Sequence, residues 1–324
     1  MNSGQPQRRL SKNAPSLRES NLLRTCLLSL TISLQIRTLS YRTLCDTLEY
    51  LLTLLDLSLK ASPFFSRFIQ MTSLRSLSSI ALLFLFTTDS LFAKEVVAED
   101  AVQVTTTPAH RMDEDNKRRG PWWKDRHEEK LALAHQGGWE LVFLGDSITH
   151  GWEGNGKSTW DKYYGARKAI NLGFGGDRTE HVLWRLEHGE FDGYKPRVAV
   201  IMIGTNNTGH DMHPPEAIAA GVKKIVYTIQ KKSPETKILL LGIFPRGATT
   251  DDPKRINNDN ANSLIHKIAD GKNIVYLNIN DKFLTKNGLL SKDIMPDLLH
   301  PKETGYTIWA EAIEPTLARL YDMK

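Results

Sequence analysis

The segment Leu141–Gly145 constrains the fold of this chain more than any other stretch of its sequence. Its apolar run stops abruptly at Gly145-Asp146-Ser147, and a short apolar run that ends at a turn signal predicts a strand buried on both faces. Such strands belong to parallel sheets that are covered by helices on both sides. In these sheets ligands bind beyond the carboxyl ends of the strands, where the sequence places Ser147. Ser147 is therefore the candidate nucleophile.

Further apolar segments alternate with amphipathic helical segments after this first strand. The other predicted strands cover residues 168–173, 197–203, 237–244 and 273–279. An N-terminal helix is predicted within 115–138, and the remaining helices cover residues 180–188, with Thr179 as N-cap, 215–230, 256–270 and 303–320. This alternation predicts the α/β class, as a three-layer α/β/α sandwich around a flavodoxin-like, five-stranded parallel sheet, within one domain over residues 116–324.

The N-terminal third of the chain differs from this domain in composition. Residues 1–70 are rich in Leu, Ser, Thr and Arg, and we interpret them as a non-native or disordered extension. Residues 71–93 have the layout of a secretory signal peptide, with Arg75 before an apolar core and Ala93 at the cleavage point. Residues 94–115 are polar and are predicted to form a linker.

This layout predicts an exported protein, periplasmic or extracellular. The apolar core of 71–93 is well short of the ~20 residues that a membrane-spanning helix needs, so we expect no stable membrane insertion after processing. A signal peptide that begins at Met71 also implies that translation starts there, which would make 1–70 an over-extended reading frame.

Charge and cysteine content exclude several functions for the domain. Residues 94–324 contain 32 basic and 32 acidic residues, so the domain carries no net positive charge that would attract a nucleic acid. Both cysteines, Cys26 and Cys45, lie in the N-terminal extension. The domain therefore has neither a disulfide nor a thiolate metal site.

Polar residues that could catalyse acyl transfer follow the predicted strands, and all should meet at one edge of the sheet. Ser147 needs a base, which His300 can supply, and Asp297 can hold the imidazole tautomer and stabilise its positive charge. The backbone N–H groups of Ser147 and Gly176, together with the amide of Asn206, can donate to the oxyanion of a tetrahedral intermediate. This chemistry needs no cofactor and no metal.

Four short blocks occur in a characteristic order: Gly145-Asp146-Ser147, Gly175-Gly176-Asp177, Gly204-Thr205-Asn206-Asn207 and Asp297-Leu298-Leu299-His300. They resemble the four blocks of the SGNH (GDSL-type) hydrolases. The resemblance implies that Ser147, Asp297 and His300 form a catalytic triad. It also implies an oxyanion hole formed by Ser147, Gly176 and Asn206.

Within that superfamily, Asn171–Asp177, His181–Leu186 and Leu241–Gly247 resemble the catalytic subunits of platelet-activating-factor acetylhydrolase Ib. In those subunits apolar residues at the positions of Ile148 and Leu299 enclose a small acyl pocket. We assign Thr205 to the same substrate pocket. The resemblance also implies a homodimer.

The sequence thus predicts a serine esterase that hydrolyses short-chain, above all acetyl, carboxylic esters through an acyl-enzyme. For an exported enzyme, the substrate would be an acetylated carbohydrate or a small acetyl ester. Two alternatives stay open: a lysophospholipase or thioesterase-type acyl hydrolase, and a non-catalytic carbohydrate- or partner-binding module on the same fold.

Two other groups of residues suggest ligands less strongly. His210-Asp211 and His213 resemble a metal cluster, but their position after Asn206 favours a polar loop at the mouth of the site. Trp152 follows the nucleophile closely, and we expect it to pack in the core or at the rim, although stacking against a sugar stays open.

Overall fold

The computed structural model of the chain describes residues 98–111 and 121–323. The predicted extension 1–70 and the predicted signal peptide 71–93 lie outside the described residues. Across the two described ranges, no helix combines the length and the hydropathy that crossing a bilayer requires.

A parallel five-stranded sheet forms the centre of the domain. Its strands are β1 (Leu141–Gly145), β2 (Ala169–Gly173), β3 (Val198–Met202), β4 (Lys237–Leu241) and β5 (Ile274–Leu277). They pair in the order β2-β1-β3-β4-β5. Because the chain reverses its direction of winding after β2, β1 and β3 are neighbours, and their carboxyl ends open the crevice in which such sheets bind ligands.

The helices connect the strands in sequence. They are α1 (98–106), α2 (Trp122–His135), α3 (Ser147–His150), α4 (Lys157–Tyr163), α5 (Thr179–Glu187), α6 (Thr205–Asp211), α7 (Pro215–Lys232), α8 (Pro253–Ile265) and α9 (Glu303–Asp322). α7 begins with Pro215, which has no backbone N–H group. No hydrogen bond is lost there, because an N–H in the first turn of a helix has no acceptor within the helix.

The sheet separates two hydrophobic cores. Along β1, Val142 and Leu144 face one core while Leu141 and Phe143 face the other, as the alternation of a strand requires. The first core packs against apolar residues of α5, α7 and α8. The second packs against α9 and the aromatic residues near α4. This arrangement confirms the predicted three-layer α/β/α sandwich.

Some strand and helix boundaries differ from the predicted ones. At the end of β4, a side chain forms the hydrogen bonds that a neighbouring strand would otherwise form with the backbone. β4 ends at Leu241 rather than at 244, since the N–H and C=O groups of Ile243 bond to the side-chain amide of Asn262 at 2.7 and 2.9 Å. Thr179 was predicted to be the N-cap of α5. In the structure it is the first residue of this helix instead. Its hydroxyl donates to the carbonyl of Thr105 at 2.9 Å.

That bond belongs to a set that holds residues 98–111 on the domain. The hydroxyl of Thr105 donates to the carbonyl of Ala217 at 2.7 Å, and the N–H of Ala109 donates to the carbonyl of Glu180 at 3.0 Å. The segment 94–115 was predicted to be a linker. Part of it forms the helix α1, which packs against α5 and α7.

Candidate active site

Ser147 is the first residue of α3, immediately beyond the carboxyl end of β1. The N-cap of this short helix is Asp146, whose Oδ1 accepts the N–H of Ile148 at 2.9 Å. Ser147 therefore does not cap the helix, and its side chain is left for another partner. Gly145 makes the turn feasible, because a Cβ there would lie 2.2 Å from Thr149 Oγ1 and 2.4 Å from the carbonyl oxygen of Met202.

His300 and Asp297 lie beside Ser147, although 153 residues separate the serine from the histidine. Ser147 Oγ and His300 Nε2 are 2.8 Å apart, and His300 Nδ1 lies 2.6 Å from Asp297 Oδ2. Leu298, between Asp297 and His300, has φ of +60°, so the intervening turn passes through the left-handed region. The three side chains predicted as a triad therefore form one continuous hydrogen-bonded chain.

The protonation of Asp297 sets the direction of these hydrogen bonds. Its partial burial raises its pKa, but hydrogen bonds from the ring and the backbone of His300 outweigh this effect, and the net pKa is below the ordinary value. The carboxylate is thus ionised at neutral pH and can only accept. It places the proton of a neutral His300 on Nδ1 and leaves Nε2 free to accept the proton of the Ser147 hydroxyl.

The loop that follows β2 passes next to Ser147. A Cβ on Gly175 would lie 4.0 Å from Ser147 Cβ, and Gly176 has φ of +78°, which favours glycine. Asn206, on α6 after β3, donates one Nδ2 hydrogen to the carbonyl of Asp177 at 2.9 Å. The second hydrogen of that amide remains available to a ligand. The glycine loop therefore passes next to Ser147 and is bonded to Asn206, so the three residues predicted as oxyanion donors lie on neighbouring elements.

A buried network of charged residues supports this loop from behind. Asp177 accepts the indole N–H of Trp123 at 2.7 Å and the Nε–H of Arg185 at 2.9 Å. Burial raises the pKa of Asp177 to about 6, despite the opposing charge of Arg185. Arg185 also pairs with Glu190, which contacts His127 Nδ1 at 2.9 Å. The network could not be recognised from the sequence, because its members come from α2, α5 and the two loops that follow β2 and α5.

The three residues predicted to form a substrate pocket are well packed. Ile148 and Thr205 are each 1% exposed, and Ile148 belongs to the second core. The Thr205 hydroxyl accepts N–H groups from Arg246 at 3.1 Å and from Asn258 at 3.3 Å. Leu299 is half-buried and packs against the same core.

Trp152 does not reach the site. It is fully buried, and its ring packs against Tyr306 and Trp309 at centroid distances of 4.6 and 4.9 Å. This confirms the expected packing role. Stacking of Trp152 against a sugar, which the sequence left open, is wrong because the ring lies inside the second core.

His210 and Asp211, which were predicted to lie in a polar loop, form the last turn of α6, and this end of the helix is bound to a neighbouring arginine. Asp211 forms an ion pair with Arg178, and His213 Nε2 lies 4.0 Å from Asp211 Oδ2. Within residues 98–111 and 121–323, no group of three or more His, Cys, Asp or Glu side chains is arranged to hold a metal ion.

Two further residues near Ser147 were not predicted to belong to the candidate site. His150 lies at the end of α3, with Nδ1 3.7 Å from the position of a Cβ on Gly175. Burial, and secondarily the charge of Arg126, lower its pKa to about 4, so the ring is neutral at neutral pH. Arg111 packs on Gly176 from the segment that precedes the predicted domain. A signal for either residue would require knowledge of contacts between distant segments.

Comparison with known proteins shows the family to which the chain belongs. Residues 143–308 match the GDSL-like Lipase/Acylhydrolase family. The chain is 33% identical over 218 residues to the platelet-activating factor acetylhydrolase IB subunit alpha1 of Homo sapiens, a match that covers 66% of this chain and 88% of that protein. It is 32% identical over 202 residues to subunit alpha2 of Rattus norvegicus, which covers 62% and 85% respectively.

Solved structures resemble the fold at lower identity. A Streptococcus pneumonia protein, described as a candidate platelet activating factor, has a TM-score of 0.51 at 21% identity, over 60% of this chain and 92% of that one. The family match spans Ser147, the glycine loop, Asn206 and the Asp297–His300 turn. The chain therefore belongs to the GDSL-like lipase/acylhydrolase family of SGNH hydrolases and is a carboxylic ester hydrolase.

Proposed function

We propose that the protein is a serine esterase that removes short acyl groups, above all acetyl, from an alcohol through an acyl-enzyme. The observation that carries this proposal is the hydrogen-bonded chain from Ser147 Oγ through His300 to Asp297, with distances of 2.8 and 2.6 Å. Both distances are within the range in which a base can accept a proton from its neighbour.

In the first half of the reaction, Ser147 Oγ bonds to the ester carbonyl carbon while its proton moves to His300 Nε2. Asp297 stabilises the imidazolium that forms, since its carboxylate faces the protonated Nδ1. The tetrahedral intermediate then loses the alcohol, as its C–O bond breaks and the proton on Nε2 moves to the departing oxygen. A water molecule repeats both steps on the acyl-enzyme, which releases the acid and restores Ser147.

The oxyanion of each intermediate would lie among three donors: the N–H groups of Ser147 and Gly176 and the free Nδ2 hydrogen of Asn206. The fixed position of Asn206 supports this role, because its other hydrogen is bound to the Asp177 carbonyl at 2.9 Å. Donors that are oriented before the reaction stabilise the transition state without a cost of reorganisation.

The packing around the nucleophile supports a short acyl group. Ile148 and Thr205 are each 1% exposed, so no solvent-filled tunnel runs along these two side chains that could take a long chain. The relatives in the comparison are also named acetylhydrolases.

The alcohol side of the ester faces a more open surface. The side chains of His300 and Asp297 are 39% and 56% exposed, so a bulky alcohol can approach the leaving-group side. An acetylated carbohydrate fits such a site, and so does a small acetyl ester.

We further propose that the protein is exported through a signal peptide at residues 71–93. N-terminal sequencing of the secreted protein tests this proposal, and a mature chain that begins within 1–70 would contradict it.

An acyl panel tests the proposal. Wild-type protein is assayed on p-nitrophenyl esters from C2 to C12 and on acetylated xylan, pectin and sialic acid, beside Ser147→Ala and a control, Ser263→Ala. Ser263 is an exposed serine of α8 whose hydroxyl donates to the Asp259 carbonyl. We expect the highest kcat/KM at C2, no turnover in Ser147→Ala and unchanged turnover in Ser263→Ala. Highest turnover at C8 or longer would favour the lysophospholipase or thioesterase alternative instead.

A further inference from the structure

Arg111 lies against the glycine loop of the candidate site although it comes from outside the family match, which begins at residue 143. It follows α1 in sequence, in the segment that contacts α5 and α7, and it is 6% exposed. A guanidinium that is almost fully buried needs specific partners, since burial of an unpaired charge is costly. Two of its partners, Gly175 and Asp177, lie in the glycine loop.

The guanidinium group contacts the glycine loop on one side and Trp122 on the other. Arg111 Nη1 donates to the carbonyl oxygen of Gly175 and lies 3.8 Å from Asp177 Oδ1. A Cβ on Gly176 would lie 2.7 Å from Arg111 Nη2, so the guanidinium rests directly on the Cα of that glycine. On its other side the Arg111 Cζ is 5.5 Å from the centre of the Trp122 ring.

The Gly175 carbonyl and the Gly176 N–H belong to the same peptide group. This group is planar and trans, so the direction of its C=O bond fixes the direction of its N–H bond. Glycines flank it on both sides, and glycine rotates about φ and ψ with little steric resistance. Left to itself, the peptide could rotate and turn the Gly176 N–H away from Ser147.

We propose that Arg111 is a positioning residue for the oxyanion hole. By binding the Gly175 carbonyl, it keeps the Gly176 N–H directed at the developing oxyanion. It does not touch the substrate, and it acts through the peptide that it holds. This inference rests on the proposed esterase function. It implies that residues 98–111 contribute to catalysis and do not merely precede the catalytic domain.

The contacts of the segment explain how Arg111 is kept in place. The Thr105 hydroxyl and carbonyl bond to Ala217 and Thr179, and the N–H of Ala109 bonds to the Glu180 carbonyl. The His110 ring packs edge-on against Trp184, with 4.7 Å between ring centroids. These contacts extend up to the residue before Arg111, so the guanidinium approaches the loop from a fixed backbone.

A second arginine offers a matched control. Arg126 of α2 is also buried, and its Nε and Nη2 donate to the carbonyl of Gly173 at 3.0 and 2.8 Å. That peptide carries the N–H of Phe174, which bonds to the Gly145 carbonyl at 3.1 Å and is not an oxyanion donor. Loss of Arg126 removes the same type of bond without freeing the Gly176 N–H.

The test compares Arg111→Met, Arg111→Lys and Arg126→Met on p-nitrophenyl acetate. An oxyanion exists only after bond formation, so loss of its donor lowers kcat rather than substrate binding. We expect kcat to fall about 10- to 100-fold in Arg111→Met with KM within about threefold, because losing one donor outright costs about 10²–10³. Arg111→Lys should recover part of this loss, and Arg126→Met should keep kcat within about threefold even if its Tm falls.

A transition-state mimic distinguishes positioning from a general loss of structure. An aliphatic trifluoromethyl ketone adds to the serine and forms an oxyanion, so its Ki should rise in Arg111→Met by the same factor by which kcat/KM falls. An unchanged Ki, an unchanged kcat, or an equal loss of kcat in Arg126→Met would overturn the role of Arg111. If instead wild-type protein hydrolyses no ester and Ser147 takes no fluorophosphonate label, the proposed function itself fails.

Discussion

Asp297 holds His300 at two points. Its Oδ2 lies 2.6 Å from the ring Nδ1, while its Oδ1 accepts the backbone N–H of His300 at 2.7 Å. One carboxylate thus fixes both the backbone turn and the orientation of the ring that the turn presents to Ser147. Because Asp297 and His300 are three residues apart, one irregular turn is enough to bring their side chains together. The fold must then place this turn beside the carboxyl end of β1, where Ser147 lies.

The double role of Asp297 predicts a selective defect in Asp297→Asn. The amide oxygen can still accept the backbone N–H, so the turn should remain folded. The amide cannot act as a negatively charged acceptor for Nδ1–H, and His300 loses the tautomer that the reaction needs. We expect kcat to fall about 10³- to 10⁴-fold with little change in Tm. The control is Asp293→Asn, an exposed aspartate of the same loop, which should keep wild-type kcat.

Two adjacent asparagines allow a second comparison. Asn206 Nδ2 has one hydrogen free for the oxyanion, whereas Asn207 bonds to the backbone N–H of Thr179 at 3.1 Å and to Glu180 at 3.1 Å. We expect Asn206→Ala to lower kcat about 10²- to 10³-fold. Asn207→Ala should instead lower the free energy of unfolding, as measured by urea denaturation, with a smaller effect on kcat. The reverse ranking of the two kcat values would refute the assignment of Asn206.

Asp146 predicts a pH dependence of stability. Burial raises its pKa from 3.8 in the unfolded chain to about 7 in the folded protein. The stability associated with its neutral form is therefore complete below pH ~4 and is lost as the pH rises through about 7. Asp146→Asn, which keeps an acceptor for the Ile148 N–H, should match wild type near pH 4. Near pH 8 it should exceed wild type by about 2–4 kcal/mol in free energy of unfolding.

Thermal unfolding of both proteins from pH 4 to 8 measures this difference. The control is Asp252→Asn, because Asp252 caps α8 in a similar way, bonding to the N–H of Lys254 at 2.9 Å, but is only half-buried. A stability gap between Asp146→Asn and wild type that does not grow with pH would exclude a neutral Asp146.

The network behind the glycine loop predicts a large loss of stability in Arg185→Ala. Arg185 is fully buried between Asp177 and Glu190, and its guanidinium lies 3.9 Å from the centre of the Phe174 ring. Its removal leaves two buried carboxylates without their main cation, which should cost about 3–5 kcal/mol. Arg167→Ala removes a more exposed ion pair with Glu314 and should cost about 1 kcal/mol or less. Urea denaturation of both variants gives these values.

Much of the fold was predictable because each strand is a short apolar run with a clear end. Four of the five predicted strands match the observed ones to within two residues at each end, and the exception, β4, ends early because the side chain of Asn262 takes the hydrogen bonds of Ile243. The candidate site was predictable for a related reason. Parallel strands all present their carboxyl ends at one edge, so Ser147, Asn206 and the Asp297–His300 turn had to meet there.

The sequence by itself determined the order of the layers, the edge at which the chemistry gathers and the identity of the residues that meet there. These follow from local patterns, since hydrophobic periodicity and turn residues act within a few positions of the chain. Only the tertiary structure decided that Trp152 packs inside the core, that Asp146 caps α3, and that Arg111 reaches the Gly175 carbonyl across 64 residues. Burial and long-range pairing depend on how distant segments pack, and no local pattern encodes the distance between them.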